Sequence, residues 1–230
     1  MVYVGEKVKK YYRFNLNVKK LNPLTLIGLI PIMIFLSLRN VNLNMNGFVF
    51  VEMILYFFVH EIFHGIAFSL FVKNKSNIKF GALLEKGVFY TMCQERINKK
   101  QIIISLLFPL IFLTIIAFPI GLIIHSDNLC LLALFNLIGA SGDVLMALLA
   151  HKMPDDIEYI DYDNSVGCTF ISRHDLSKYK VFALDYMNSG NDSDKLIDKS
   201  IKRIYISKKS YIVLAFYLLV AIFMIVLDYI

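Results

Sequence analysis

Residues 60–64 read His-Glu-Ile-Phe-His. On an α-helix, His60 and His64 are four apart and share a face. Two imidazole nitrogens one turn apart can take two corners of a tetrahedral Zn²⁺ site. Glu61 falls beside those corners, where a carboxylate can accept a proton from the water that such a metal activates. A catalytic zinc also needs a third protein ligand and an open position. Asp143 is the candidate for that ligand, since it is the only formally charged residue in its apolar stretch.

The location of these residues sharpens the reading. Five apolar runs cover residues 23–38, 47–72, 102–124, 129–150 and 211–227, and only Glu52, Glu61 and Asp143 bring formal charge into them. His60 and His64 join them there. A charge deep in a bilayer is costly unless paired or solvated, so such residues are functional candidates. Glu52 lies near the end of its run and can reach the interface. His64 and Asp143 each sit about 12 Å from the same end of their runs, at 1.5 Å per residue. Competing readings are buried polar residues that bond neighbouring helices, and an Asp143 bonded to Ser, Asn or backbone. Asn136, two turns before Asp143 on the same face, suits either a substrate or oxyanion contact or an interhelical bond. Gly139, Ala140, Ser141 and Gly142 let another helix approach. His151 follows Asp143 by two turns and is a reserve ligand, although His151 and His174 lie outside the runs and read as surface residues. Pro109 and Pro119 are expected to kink or loosen their run.

These residues need elements to hold them, and the composition says which kind. The chain has 230 residues, of which 57% are hydrophobic and 18% charged, with mean hydropathy +0.61. A soluble domain carries about 25% charged residues. The expected fold is therefore an all-α polytopic membrane protein of about five transmembrane helices, with a small β-hairpin and a short mixed cytoplasmic segment. A soluble enzyme, a disordered tail and a disulfide scaffold are excluded. Taken in order through the segments between and around the runs, Lys and Arg number 6, 1, 7, 0, 10 and 0. That alternation puts the N-terminus in the cytoplasm and the C-terminus outside, and it explains the net charge of +6 without nucleic acid.

The expected organisation is a basic cytoplasmic segment over 1–22, then a four-helix membrane core over 23–150 carrying the motif and a cytoplasmic β-hairpin at 78–93. A cytoplasmic segment over 151–210 and a fifth helix over 211–230 follow. Within 155–210, short strands (EYIDY, CTFIS) and helical pieces near 176–187 and 192–204 are predicted, and residues 40–46 read as an external turn. The first run is short, and it lacks the small-residue cleavage site of a signal peptide. Cys93, Cys130 and Cys168 fit no metal or disulfide spacing and read as reduced, structural thiols.

HEIFH in an apolar helix, then a β-rich segment, an apolar run, and a run bearing Asn136 and Asp143, resembles the site-2 protease class of intramembrane zinc metalloproteases. More narrowly, it is similar to a bacterial membrane family of zincin peptidases otherwise described as a domain of unknown function. The resemblance covers residues 47–154. It implies Zn²⁺ held by His60, His64 and Asp143, with Glu61 as general base, and cleavage of a membrane protein or peptide substrate near the cytoplasmic face of a bacterial plasma membrane. In that class the Asp ligand usually sits in an Asn-Pro…Asp-Gly context; here no Pro follows Asn136, and Val144 follows Asp143. A peptide bond in a membrane helix is shielded by its own hydrogen bonds, so a substrate must unwind. The strand Val88, Phe89, Tyr90, Thr91 and onward to Cys93 offers an edge for strand addition. Two other classes compete: a non-catalytic membrane protein binding peptides or metal through a structural site, and a metal-ion carrier.

Overall fold

A computed structural model describes residues 9–39, 47–83, 88–161 and 167–191. Its first element is a strand, β1 (Lys10–Leu16), in which Tyr12 and Phe14 point to the core and Arg13 between them does not. This is the two-residue period of a strand with one strongly buried face. β1 lies inside a five-stranded antiparallel sheet of order β4-β5-β6-β1-β7. The other members are β4 (Ile97–Asn98), β5 (Glu158–Ile160), β6 (Gly167–Ser172) and β7 (Leu184–Asn191). In β1–β6 pairing Tyr12 faces Phe170, and Phe14 faces Cys168.

Among the described residues six α-helices accompany the sheet: α1 (Val18–Arg39), α2 (Gly47–Ser69), α3 (Lys99–Leu110), α4 (Ala117–Ile123), α5 (Asp127–Gly139) and α6 (Ser141–Lys152). A π-helical stretch, Ile111–Ile116, joins α3 to α4. The start of α3 is set by a capping box: the Asn98 side chain accepts from Gln101 N, and the Gln101 side chain accepts from Asn98 N. Ser126 caps α5 by accepting from Leu129 N. A buried Ala140 separates α5 from α6, and the two are bent by 47°.

The sheet and the helices share one core. Tyr12, Phe14 and Phe170 of the sheet cluster with Phe68 of α2, Ile102 and Leu106 of α3, and Leu145 and Leu149 of α6. Each such side chain contributes about 1.5–3 kcal/mol by burial, so the sheet anchors one end of the three helices that carry the motif, Pro109 and Asp143. A second cluster packs Ile32 and Phe35 of α1 on Cys130, Leu131 and Leu134 of α5.

A hairpin of β2 (Ile78–Leu83) and β3 (Val88–Cys93) docks on α2. Gly65 permits this, because a Cβ there would run into the Phe80 ring. The loop before the hairpin is held by Glu95, whose carboxylate accepts from Lys73 N, Asn74 N and Asn77 Nδ2. Those bonds keep the Glu95 carboxyl below its ordinary range.

This architecture corrects the expectation of an all-α polytopic protein with five transmembrane helices. The described residues contain seven strands besides the helices. Among the described residues one continuous helix, Lys99–Ile123, has the length and apolarity to cross a membrane; the bent pair Asp127–Gly139 and Ser141–Lys152 adds a second if read as one broken span. The apolar part of α1, Leu26–Arg39, falls short. Run-based reading measures apolarity and not period, so the alternation of β1 went unread within a basic segment. The helix expected near 176–187 is instead a series of turns leading into β7. The hairpin at 78–93 and the strands within EYIDY and CTFIS are present. The run at 211–227, the helix at 192–204 and the turn at 40–46 lie outside the described residues.

Candidate metal centre

α2 carries HEIFH in mid-helix, with His60 and His64 buried on the face toward α3 and α5. Their Nε2 atoms are 3.1 Å apart. Asp143 stands in the first turn of α6, where a carboxylate is favoured by the helix N-terminus. Its Oδ2 is 3.1 Å from His60 Nε2 and 3.3 Å from His64 Nε2. The three atoms form a nearly equilateral triangle. Tetrahedral bonds of about 2.0–2.1 Å put neighbouring ligand atoms about 3.3 Å apart, so the triangle has the size of one face of a zinc site.

The protonation of the triangle follows from its outer partners. His64 Nδ1 lies 2.8 Å from the Ser105 carbonyl, which can only accept, so Nδ1 carries the proton and donates. Asn136 Nδ2 donates to the Pro109 carbonyl at 3.3 Å and to Thr114 Oγ1 at 2.9 Å. Thr114 Oγ1 in turn donates to the Ala133 carbonyl at 3.0 Å. That fixes the amide: Oδ1 faces His60, and His60 Nδ1 donates to it at 2.7 Å. Both Nε2 atoms therefore turn lone pairs toward each other and toward a carboxylate oxygen. One added proton can serve a single edge of this triangle, whereas a cation over its face serves all three atoms. Two imidazole nitrogens and a carboxylate oxygen, with an oriented outer partner on each histidine, are donors of a kind that could hold Zn²⁺.

Glu61 is half-buried next to this triangle. A carboxylate oxygen of Glu61 and a ring nitrogen of each histidine lie within 4.8 Å of one another, so His60, Glu61 and His64 could hold a metal ion. The Asp143 carboxylate lies 3.1 and 3.3 Å from the same two Nε2 atoms, so two carboxylates border the histidine pair. The Glu61 carbonyl accepts from Thr91 Oγ1 at 2.7 Å, which ties β3 to the motif.

The remaining candidates fall as follows. Asn136 is 1% exposed, and its amide is occupied by Pro109, Thr114 and His60. His151 is exposed in the last turn of α6, and His174 is exposed with its Nε2 3.7 Å from Asp156. Glu52 lies on α2 some two turns before His60. Val88, Phe89, Tyr90 and Thr91 all lie on β3. The Gln94 N–H donates to Asn77, which puts Met92 and Tyr90 at positions facing β2. The backbone groups of Thr91 and Phe89 then point to the opposite edge. At the end of that edge Cys93 bonds to Asp161 through its own N–H and carbonyl. The three cysteines are free and buried. Burial pushes the Cys93 thiol up to about 12, which keeps it protonated and inert at neutral pH.

Sequence reasoning missed the acceptors that aim the histidines: the Ser105 and Pro109 carbonyls and Thr114. No side-chain pattern announces a backbone carbonyl. The available signal was Pro109, which removes the helical donor to Ser105.

Geometry and chemistry thus define a candidate metal centre of the His-Glu-x-x-His class. Residues 53–157 match a family model described as "Putative zincin peptidase". That segment contains His60, Glu61, His64, Asn136 and Asp143, and the match supports a zincin-type peptidase family, for which zinc is the implied metal. No curated protein and no solved structure matches the chain.

Proposed function

We propose that this chain is a zinc metallopeptidase, similar to site-2 proteases, that hydrolyses peptide bonds of membrane-embedded or membrane-proximal substrates. The observation that carries the reading is the triangle of His60 Nε2, His64 Nε2 and Asp143 Oδ2, with edges of 3.1–3.3 Å, and Glu61 at its side. His60, His64 and Asp143 hold the metal. Bound there, Zn²⁺ supplies a Lewis acid that polarises the scissile carbonyl and acidifies water. Glu61 takes the proton of the attacking water and passes it to the leaving amine. Asn136 holds His60 in the tautomer that leaves Nε2 bare. The outward edge of β3 at Phe89 and Thr91 receives the unwound substrate as an added strand, and the Thr91–Glu61 bond keeps that strand in register with the base.

The bilayer assignment rests on the surface. Leu26, Ile30 and Met33 of α1, and Ile104, Ile115 and Ile123 along α3–α4, are all exposed. An apolar surface of this extent is unusual for a chain surrounded by water. Lys19 and Lys20 begin α1, and Lys99 and Lys100 begin α3, at the helix ends that adjoin the sheet. The positive-inside rule puts that side in the cytoplasm.

Comparing the membrane proteomes of cells expressing wild type and Glu61→Gln tests the function. Substrates are expected to accumulate uncleaved in the variant while zinc content is unchanged. Equal cleavage by the two proteins would overturn the role of Glu61, and no cleavage by either would favour a non-catalytic peptide- or metal-binding protein.

A further inference from the structure

We propose that Pro109 is a positioning residue for the metal centre, through the hydrogen bond that its missing N–H leaves open. This rests on the metal-centre reading above. In a regular helix the N–H of residue 109 would donate to the carbonyl of residue 105. Proline has no N–H, so the helix cannot complete that bond. The carbonyl left over is the one that His64 Nδ1 reaches at 2.8 Å. With its proton committed there, the His64 ring turns Nε2 toward His60 and Asp143.

The same residue acts on the second histidine. The Pro109 carbonyl accepts from Asn136 Nδ2 at 3.3 Å, and a carbonyl there admits only the nitrogen end of the amide. Oδ1 is thereby presented to His60 Nδ1. Pro109 is fully buried, so water cannot replace either partner. One residue of α3 therefore bears on the tautomers of both histidines, one by an absent donor and one by its own acceptor.

The following turn repeats the device. The Ala117 N–H goes to the carbonyls of Phe112 and Thr114, and bypasses that of Leu113. Tyr56 Oη, from α2, donates to the Leu113 carbonyl at 2.6 Å. The proline and the π-helical stretch together give α2 two backbone acceptors that an uninterrupted α-helix would keep for itself.

The test is a pair of full-length variants. Pro109→Ala restores an N–H that competes with His64 for the Ser105 carbonyl, and it keeps a good helix former at that place. A backbone ester at position 109, made with lactic acid, has the alanine side chain but no N–H. Zinc affinity is read by chelator competition, and the His64 tautomer by ¹⁵N NMR of the zinc-free protein with labelled histidine. Pro109→Ala is expected to bind zinc at least tenfold more weakly and to lose the uniform Nδ1–H signature of His64, while the ester keeps both near wild type. Wild-type affinity and tautomer in Pro109→Ala would overturn the proposal. So would an ester as impaired as Pro109→Ala, because the ring and not the missing donor would then matter. A wild-type protein that bound no zinc would sink the metal reading instead, and the tautomer spectra would still decide the role of Pro109.

Discussion

Asn136 has its amide engaged on both ends, by Pro109 and Thr114 on nitrogen and by His60 on oxygen. Replacing it by Leu keeps most of the volume and removes the acceptor of His60 Nδ1. Outer partners of this kind are worth about 10–100-fold in metal affinity, and a stranded buried donor costs about 1–3 kcal/mol. Asn136→Leu should therefore bind zinc more weakly in chelator competition and melt earlier; unchanged affinity would remove Asn136 from the support of the site. At this scale the sequence was most informative. HEIFH and a single acid in the run at 129–150 pointed to three side chains that the fold brings within 3.3 Å. The shared depth of His64 and Asp143, and the shared face of Asn136 and Asp143, assumed one straight helix over 129–150; the chain instead bends by 47° at Ala140, with Asn136 on α5 and Asp143 on α6. The outer partners were not readable, because two are main-chain carbonyls whose availability depends on where α3 is interrupted.

β3 is the element on which the substrate proposal turns. Its register against β2, with Gln94 donating to Asn77, sends the backbone groups of Phe89 to the outer edge and those of Tyr90 to β2. Pro is tolerated on an edge strand where its missing N–H faces outward. Phe89→Pro should keep zinc content and the hairpin, and reduce cleavage of a verified substrate at least tenfold. Cleavage at the wild-type rate would show that substrates do not add to this edge. The hairpin itself was legible from its apolar, β-rich halves around a Gly-containing turn. β1 was not, although Tyr12 and Phe14 alternate with Arg13, because six basic residues before the first run drew the reading toward a solvated segment. β7 was missed for a related reason: its sequence, LDYMNSGN, has few apolar residues and takes its place by pairing with β1.

At the scale of the whole molecule, the described residues join a sheet to α2, α3 and α6 through a shared core, and that junction is what a count of apolar runs could not foresee. Composition registers how much apolar surface exists, while the division between sheet core and exposed helix surface depends on packing. The chain has no Trp, so a single introduced Trp reports one place. Ile115→Trp, on the exposed apolar face of the π-helical stretch, should be blue-shifted in liposomes and quenched by brominated lipids. Phe182→Trp, equally exposed beside the sheet, should be neither. Equal quenching of the two, or none at Ile115, would contradict the proposed placement in the bilayer.

Zinc content decides which residues hold the metal. Zinc per chain should be measured in purified wild-type, Glu61→Gln and Asp143→Asn proteins. The triangle of His60, His64 and Asp143 leads to one zinc in the first two and little in the third. Zinc lost from Glu61→Gln but kept by Asp143→Asn would contradict it.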